Sequence, residues 1–158
     1  MKFSARLLAL LLGTSLLAAC GGSGTSTNDP SDKYVGAWGM TCHAYSDGTS
    51  AQYVLTFAKT SATTFSGTNV ANVYPNATCI GAGTSFNASG NFSMAVTIVG
   101  TKVMQGVTAD RVIQTADGKT YYDVMYADSS TLRVGGDGPY DAQGYSNVWH
   151  PTIVYTKR

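Results

Sequence analysis

Residues 107–126 read Val107-Thr108-Ala109-Asp110-Arg111-Val112-Ile113-Gln114-Thr115-Ala116-Asp117-Gly118-Lys119-Thr120-Tyr121-Tyr122-Asp123-Val124-Met125-Tyr126. Two strand-like runs flank Asp117-Gly118, a pair that accepts positive φ and suits a two-residue hairpin. In the second run Tyr122, Val124 and Tyr126 oppose Tyr121, Asp123 and Met125, the period of two that a strand imposes. The same alternation recurs upstream. Tyr53, Leu55 and Phe57 share one face, as do Phe92, Met94, Val96 and Ile98. Downstream, Ile153 and Tyr155 oppose Thr152, Val154 and Thr156. Shorter runs lie at Trp38–Cys42, Thr64–Val73, Val107–Gln114 and Leu132–Gly135. Turn sequences such as Ser46-Asp47-Gly48, Pro75-Asn76 and Asp128-Ser129-Ser130 separate them. Short strands at about ten-residue spacing predict an all-β antiparallel fold. The expected form is an up-and-down barrel of about eight strands, with a β-sandwich as the alternative.

Composition agrees. Of 158 residues, 12% are charged, and all nine acidic residues are Asp. The absence of Glu, and the presence of only Leu55 and Leu132 beyond residue 20, argue against helices. Without Lys2 and Arg6, eight basic residues face nine Asp, a net charge of −1. This excludes a basic nucleic-acid footprint.

The N-terminus carries Lys2 and Arg6 ahead of an apolar run from Leu7 to Ala19. About a dozen apolar residues suit a signal-peptide core and fall short of the roughly 20 that span a membrane. The junction Leu17-Ala18-Ala19-Cys20 resembles the lipobox of bacterial lipoproteins. The resemblance implies cleavage before Cys20, with diacylglycerol on its sulfur and an acyl chain such as palmitate on its amino group. Two or three chains anchor firmly where one is marginal. By resemblance to enterobacterial lipoprotein sorting, Gly21 rather than Asp after the Cys implies the outer membrane. The expected organisation is a signal peptide at 1–19, a lipidated Cys and flexible tether at 20–32, and a β-barrel domain at 33–158. The membrane is thus the expected partner, through the lipid on Cys20.

Cys42 and Cys79 form an even pair in an oxidising compartment, which predicts a disulfide. The two histidines, His43 and His150, sit at no zinc-ligand spacing, and no metal or cofactor is expected.

Tyr34-Val35-Gly36-Ala37-Trp38 opens the domain and contains Gly-x-Trp. This resembles the first signature of lipocalins and their calycin relatives. The resemblance implies that Gly36 and Trp38 belong to the barrel floor, with Trp38 closing it. It also implies that Lys157, Arg158 or Arg133 lies over the indole. Closure requires the run Thr152–Thr156, after Pro151, to pair with the first strand.

No Gly-x-Ser-x-Gly, Walker or His-Glu-x-x-His motif is present, so no enzyme is expected. Only Asp110 and Asp123 lie within strand-like runs. Asp123 is expected to face solvent, the alternative being burial against a Tyr hydroxyl or Arg111. The glycine-rich segment Gly135–Tyr145 reads as a mobile loop; Asp137 and Asp141 lack the further ligands of a calcium loop. Tyr121, Tyr140 and Tyr145 are assigned to a barrel mouth as ligand-binding rings, with cross-strand pairing as the alternative. The expected function is binding of a small apolar or amphipathic ligand by an envelope lipoprotein. The alternative is a protein-interaction or inhibitor module with a side-chain-filled barrel, whose partner would be an envelope protein.

Overall fold

In a computed structural model, which describes residues 28–87 and 93–158, the alternating runs become ten antiparallel strands. They are β1 Gly36–Met40, β2 His43–Ala44, β3 Ser50–Lys59, β4 Thr64–Tyr74 and β5 Thr84–Asn87. Then follow β6 Ser93–Met104, β7 Val107–Ala116, β8 Lys119–Ala127, β9 Thr131–Gly135 and β10 Trp149–Lys157. The leader, Cys20 and Phe92 lie outside the described residues.

Eight strands close into an up-and-down barrel in the order β1-β3-β4-β6-β7-β8-β9-β10, with β10 returning to β1. The closing ladder pairs Trp38 with Lys157, Gly39 with Thr156 and Met40 with Tyr155. A closed sheet leaves no edge to recruit another chain. The two short strands extend this ring: β2 continues the pairing of β3 at Ala51 and Ser50, and β5 takes over from β6 along Val70–Val73 of β4. Asp117 and Gly118 both have positive φ (50° and 71°), as a twisted two-residue hairpin demands. Gln105 and Gly106 do the same between β6 and β7, at φ 49° and 82°.

Inward-facing residues fill the lower barrel. Trp38 is fully buried, and its Nε1 donates to the Tyr34 carbonyl at 2.7 Å. Tyr34 stands on a 3-10 turn, Asp32–Tyr34, that plugs the end. Its ring stacks on Phe65 at 4.8 Å, and Phe57 meets Phe65 edge-on. The Tyr34 hydroxyl donates to Asp110 Oδ2 at 2.7 Å, and Lys33 pairs with the same oxygen at 2.7 Å. Asp110 is therefore a buried carboxylate with a charged partner and a hydrogen bond, the condition under which burial is tolerated. Lys157 Nζ lies 5.1 Å from the Trp38 ring centroid, a cation–π contact. Arg133 instead covers Trp149, at 4.8 Å. Gly36 has φ 120°, and a Cβ there would sit 3.4 Å from the Lys157 side chain, so the Gly admits both the turn into β1 and the cation.

The fold begins before residue 33. Ser31, placed in the tether from its composition, is fully buried; its N–H donates to Ala62 O and its hydroxyl to Ser61 O. Lys59 holds Asp29 and Asp32 at 2.6 Å each. Polar residues that bury no apolar surface are fixed here by backbone pairing, which composition does not reveal.

The second departure is an outer core. Both faces of the second half of β8 are buried: Met125 joins Trp38 and Phe65 inside the barrel, while Val124 packs outside with Met104, Ala109, Tyr145 and Trp149. Residues 136–148, which take in most of the segment 135–145 expected as a mobile loop, form a strap over this outer face. Asp141 secures it, accepting from Lys102 Nζ at 2.7 Å, Arg111 at 3.2 Å and the N–H groups of Gln143 and Tyr145. Lys102 also reaches Ser146 O and Asn147 Oδ1. The Lys102 ammonium holds the Asp141 carboxyl down at about 2, so this carboxylate stays ionised at every physiological pH.

Candidate functional site

The barrel is filled at the Trp38 end and hollow at the other. Above Met40 and Tyr155 lies an open cavity of about 390 Å³. That is within the range of small-molecule sites. Its walls are Met40, His43, Tyr45, Tyr53, Asn69, His150, Thr152, Ile153 and Tyr155, none of them Asp, Lys or Arg.

Three local features open this mouth. First, β10 pairs with β9 at Trp149–Gly135 and next at Val154–Arg133, so four residues of β10 bulge against one of β9. Pro151 lies within the bulge and has no N–H to leave unpaired. The bulge is organised by His150, whose Nδ1 accepts from Ile153 N at 3.1 Å and Thr152 N at 3.4 Å. An accepting Nδ1 places the ring proton on Nε2. Second, β1 breaks after Met40 and resumes as β2, which brings His43 and Tyr45 to the rim. Their rings meet edge-on at 5.0 Å. Third, the Cys42–Cys79 disulfide joins this break to the loop after β4. Ser50, fully buried beneath, accepts from Cys79 N–H at 3.0 Å and donates to Asn76 O.

The cavity's polar groups are tyrosine and threonine hydroxyls, an amide and two imidazoles. The hydroxyls of Tyr45 and Tyr53 are 2.6 Å apart, and that bond, with partial burial, pushes Tyr45 up to about 12. Burial pushes Tyr155 up to about 12. Asn69 faces inward opposite Leu55, and its Oδ1 is sealed from solvent without a donor. An unpaired buried acceptor costs on the order of 1–3 kcal/mol.

The three tyrosines assigned to a mouth from sequence do not line this cavity. Tyr121 and Tyr140, 50% and 56% exposed, border a separate cleft of about 250 Å³ between β8 and the strap. Tyr145 is 5% exposed and structural: its ring meets Tyr122 edge-on, under the Arg111 guanidinium at 5.1 Å. The strap that buries Tyr145 has no strand or helix pattern, so its docking was not legible. The residues missed, His43, Tyr45, Asn69 and His150, lie on a two-residue strand, a turn, a polar position of an inward face and a bulge. Only Asn69 had a signal, sharing the parity of Phe65 on β4.

Asp123 also departs from expectation. It is held in the gap where β8 and β9 diverge, accepting from Val124 N at 2.7 Å, Gly135 N at 3.1 Å and Gln114 Nε2 at 3.0 Å. Tyrosine hydroxyls and Arg111 are not its partners. Burial outweighs these bonds and, with the charge of Asp137 adding to it, pushes the carboxyl up to about 6. The folded protein then holds this proton more tightly than an unfolded Asp of pKa near 3.9. Stability from this group is therefore expected to fall as pH rises from about 4 to about 6. Urea unfolding across that window should show the slope, and Asp123→Asn should flatten it; equal slopes in the two proteins would contradict the assignment.

Among the described residues no three His, Cys or Asp side chains converge as a metal site. No protein-family model, curated protein or solved structure matches the chain.

Proposed function

We propose that the protein is a non-enzymatic binding module that takes a small, neutral, amphipathic molecule into the open end of a lipocalin-like barrel. The leader and the Leu17–Cys20 junction support a lipid anchor on Cys20 that tethers the domain to the bacterial envelope, at the outer membrane. A cavity wall without Asp, Lys or Arg carries this reading: Met40, Ile153 and the tyrosine rings offer apolar contact, and Asn69, His150 and the Tyr45–Tyr53 pair offer hydrogen bonds. A charged ligand would enter without a fixed counter-charge, at a desolvation cost that a neutral one avoids. A ligand bearing a hydrogen-bond donor would give Asn69 Oδ1, once the amide turns to the cavity, the partner it lacks.

N-Phenyl-1-naphthylamine, a neutral fluorophore with one N–H, tests this. Its emission should rise saturably with one probe per protein. Ile153→Trp, which fills the cavity from the bulge, should abolish the rise while leaving far-ultraviolet circular dichroism unchanged. Equal emission with the variant would place the probe elsewhere. The alternative, a protein-interaction or inhibitor module, draws on the exposed rings of Tyr121, Tyr122 and Tyr140 and on the side-chain-filled lower barrel. It predicts no saturable probe signal.

A further inference from the structure

We propose that the cleft between β8 and the strap is a second binding site, for a small alkylammonium ion. It shares no lining residue with the barrel cavity. Its walls include the exposed rings of Tyr121 and Tyr140, with Gln114, Asp123 and Asp137 supplying polar groups. Exposed aromatic faces beside carboxylates are the chemistry that holds an organic cation, through ring quadrupole and charge together. The two halves of the site are fixed separately. Asp123 is locked by Val124 N, Gly135 N and Gln114 Nε2, and the strap carrying Asp137 and Tyr140 is clasped by Lys102 and Arg111 through Asp141. A preformed cleft spares the ligand the cost of ordering it.

Its charge is unbalanced. From β8 come Tyr121, Tyr122 and Asp123, from β7 the neutral Gln114, and from the strap Asp137 and Tyr140; no Lys, Arg or His lines the cleft. Burial first, and the charge of Asp137 last, displace the Asp123 carboxyl upward. A cation seated there would draw that proton off, so binding strengthens as pH rises through about 6. The volume, about 250 Å³, suits a compact head such as trimethylammonium. The two carboxylates disfavour a phosphate beside it, which favours a free cation over a phosphocholine headgroup.

Tetramethylammonium chloride titrated at low salt into the full chain, held in a nonionic detergent, tests the proposal by amide chemical shifts. Saturable shifts are expected at Gly135, Gly136 and Tyr140, with none from 3,3-dimethylbutan-1-ol, the uncharged isostere. Tyr140→Ala should weaken binding roughly 2- to 30-fold, the range of one cation–π contact. Asp137→Asn, on the exposed strap, should weaken it without disturbing the barrel, and lowering the pH from 7.5 to 5 should weaken it in the unaltered protein. Equal shifts from the neutral alcohol or from methyl glucoside would overturn the cation assignment, as would unchanged affinity in both variants. Glycerophosphocholine binding as tightly as tetramethylammonium would overturn the choice of a free ion.

Discussion

Trp38→Ala is expected to lower the unfolding free energy by about 3–5 kcal/mol, the range for emptying a fully buried indole site. The ring has no solvent exposure and closes the filled end of the barrel against Tyr34, Phe57 and Phe65. The substitution also strands the Tyr34 carbonyl that accepts from Nε1, and removes the ring beneath Lys157. Total stabilities are typically about 5–15 kcal/mol, so the loss is a large fraction. Urea denaturation followed by far-ultraviolet circular dichroism measures it without relying on the indole. A loss below about 1 kcal/mol would mean that the floor is not built on Trp38. Lys157→Met should cost much less, because the cation contributes about 0.5–2 kcal/mol and the apolar stem is retained.

Removing the disulfide should have the second largest effect. Cys42→Ala with Cys79→Ala releases a loop closed across 37 residues. Chain entropy puts the cost at roughly 3–4 kcal/mol. The loss should begin at the cavity end, because the bridge ties the break between β1 and β2 to the loop that Ser50 anchors. Hydrogen exchange should therefore quicken at Cys42–Ser50 and at 75–83 before the Trp38 floor responds. Uniform quickening across the barrel would contradict a local role, and unchanged stability would contradict the entropic estimate.

The fold was legible where the physics is local. Met94, Val96 and Ile98 alternate with the smaller Ser93, Ala95 and Thr97, and one face of the resulting strand meets the core. Asp117-Gly118 turns as its φ tolerance predicts. Closure followed from the need to satisfy two terminal strands, and the first and last strands do pair, Trp38 opposite Lys157. What escaped depends on residues far apart in the chain. The strap has the Gly, Asp and Pro content of a loop, yet Lys102 and Arg111 reach Asp141 across 39 and 30 residues. That clasp buries Tyr145 and separates it from Tyr121 and Tyr140, which composition had grouped. Asp123 was expected to face solvent, but it shares the face of β8 that Met125 turns into the core, and where β8 diverges from β9 its carboxylate becomes a backbone acceptor. The cavity was hidden for a related reason. Its rim comes from a broken first strand and a bulge in the last, and neither interruption has a period.

Native mass spectrometry of the full chain, extracted gently from cells in a nonionic detergent, bears most directly on the claim that the barrel's open end holds a small neutral molecule. The account predicts a reproducible non-covalent adduct at one copy per chain, lost on collisional activation and absent from Ile153→Trp. A clean apo mass in the unaltered protein, together with no saturable binding of N-phenyl-1-naphthylamine, would contradict it.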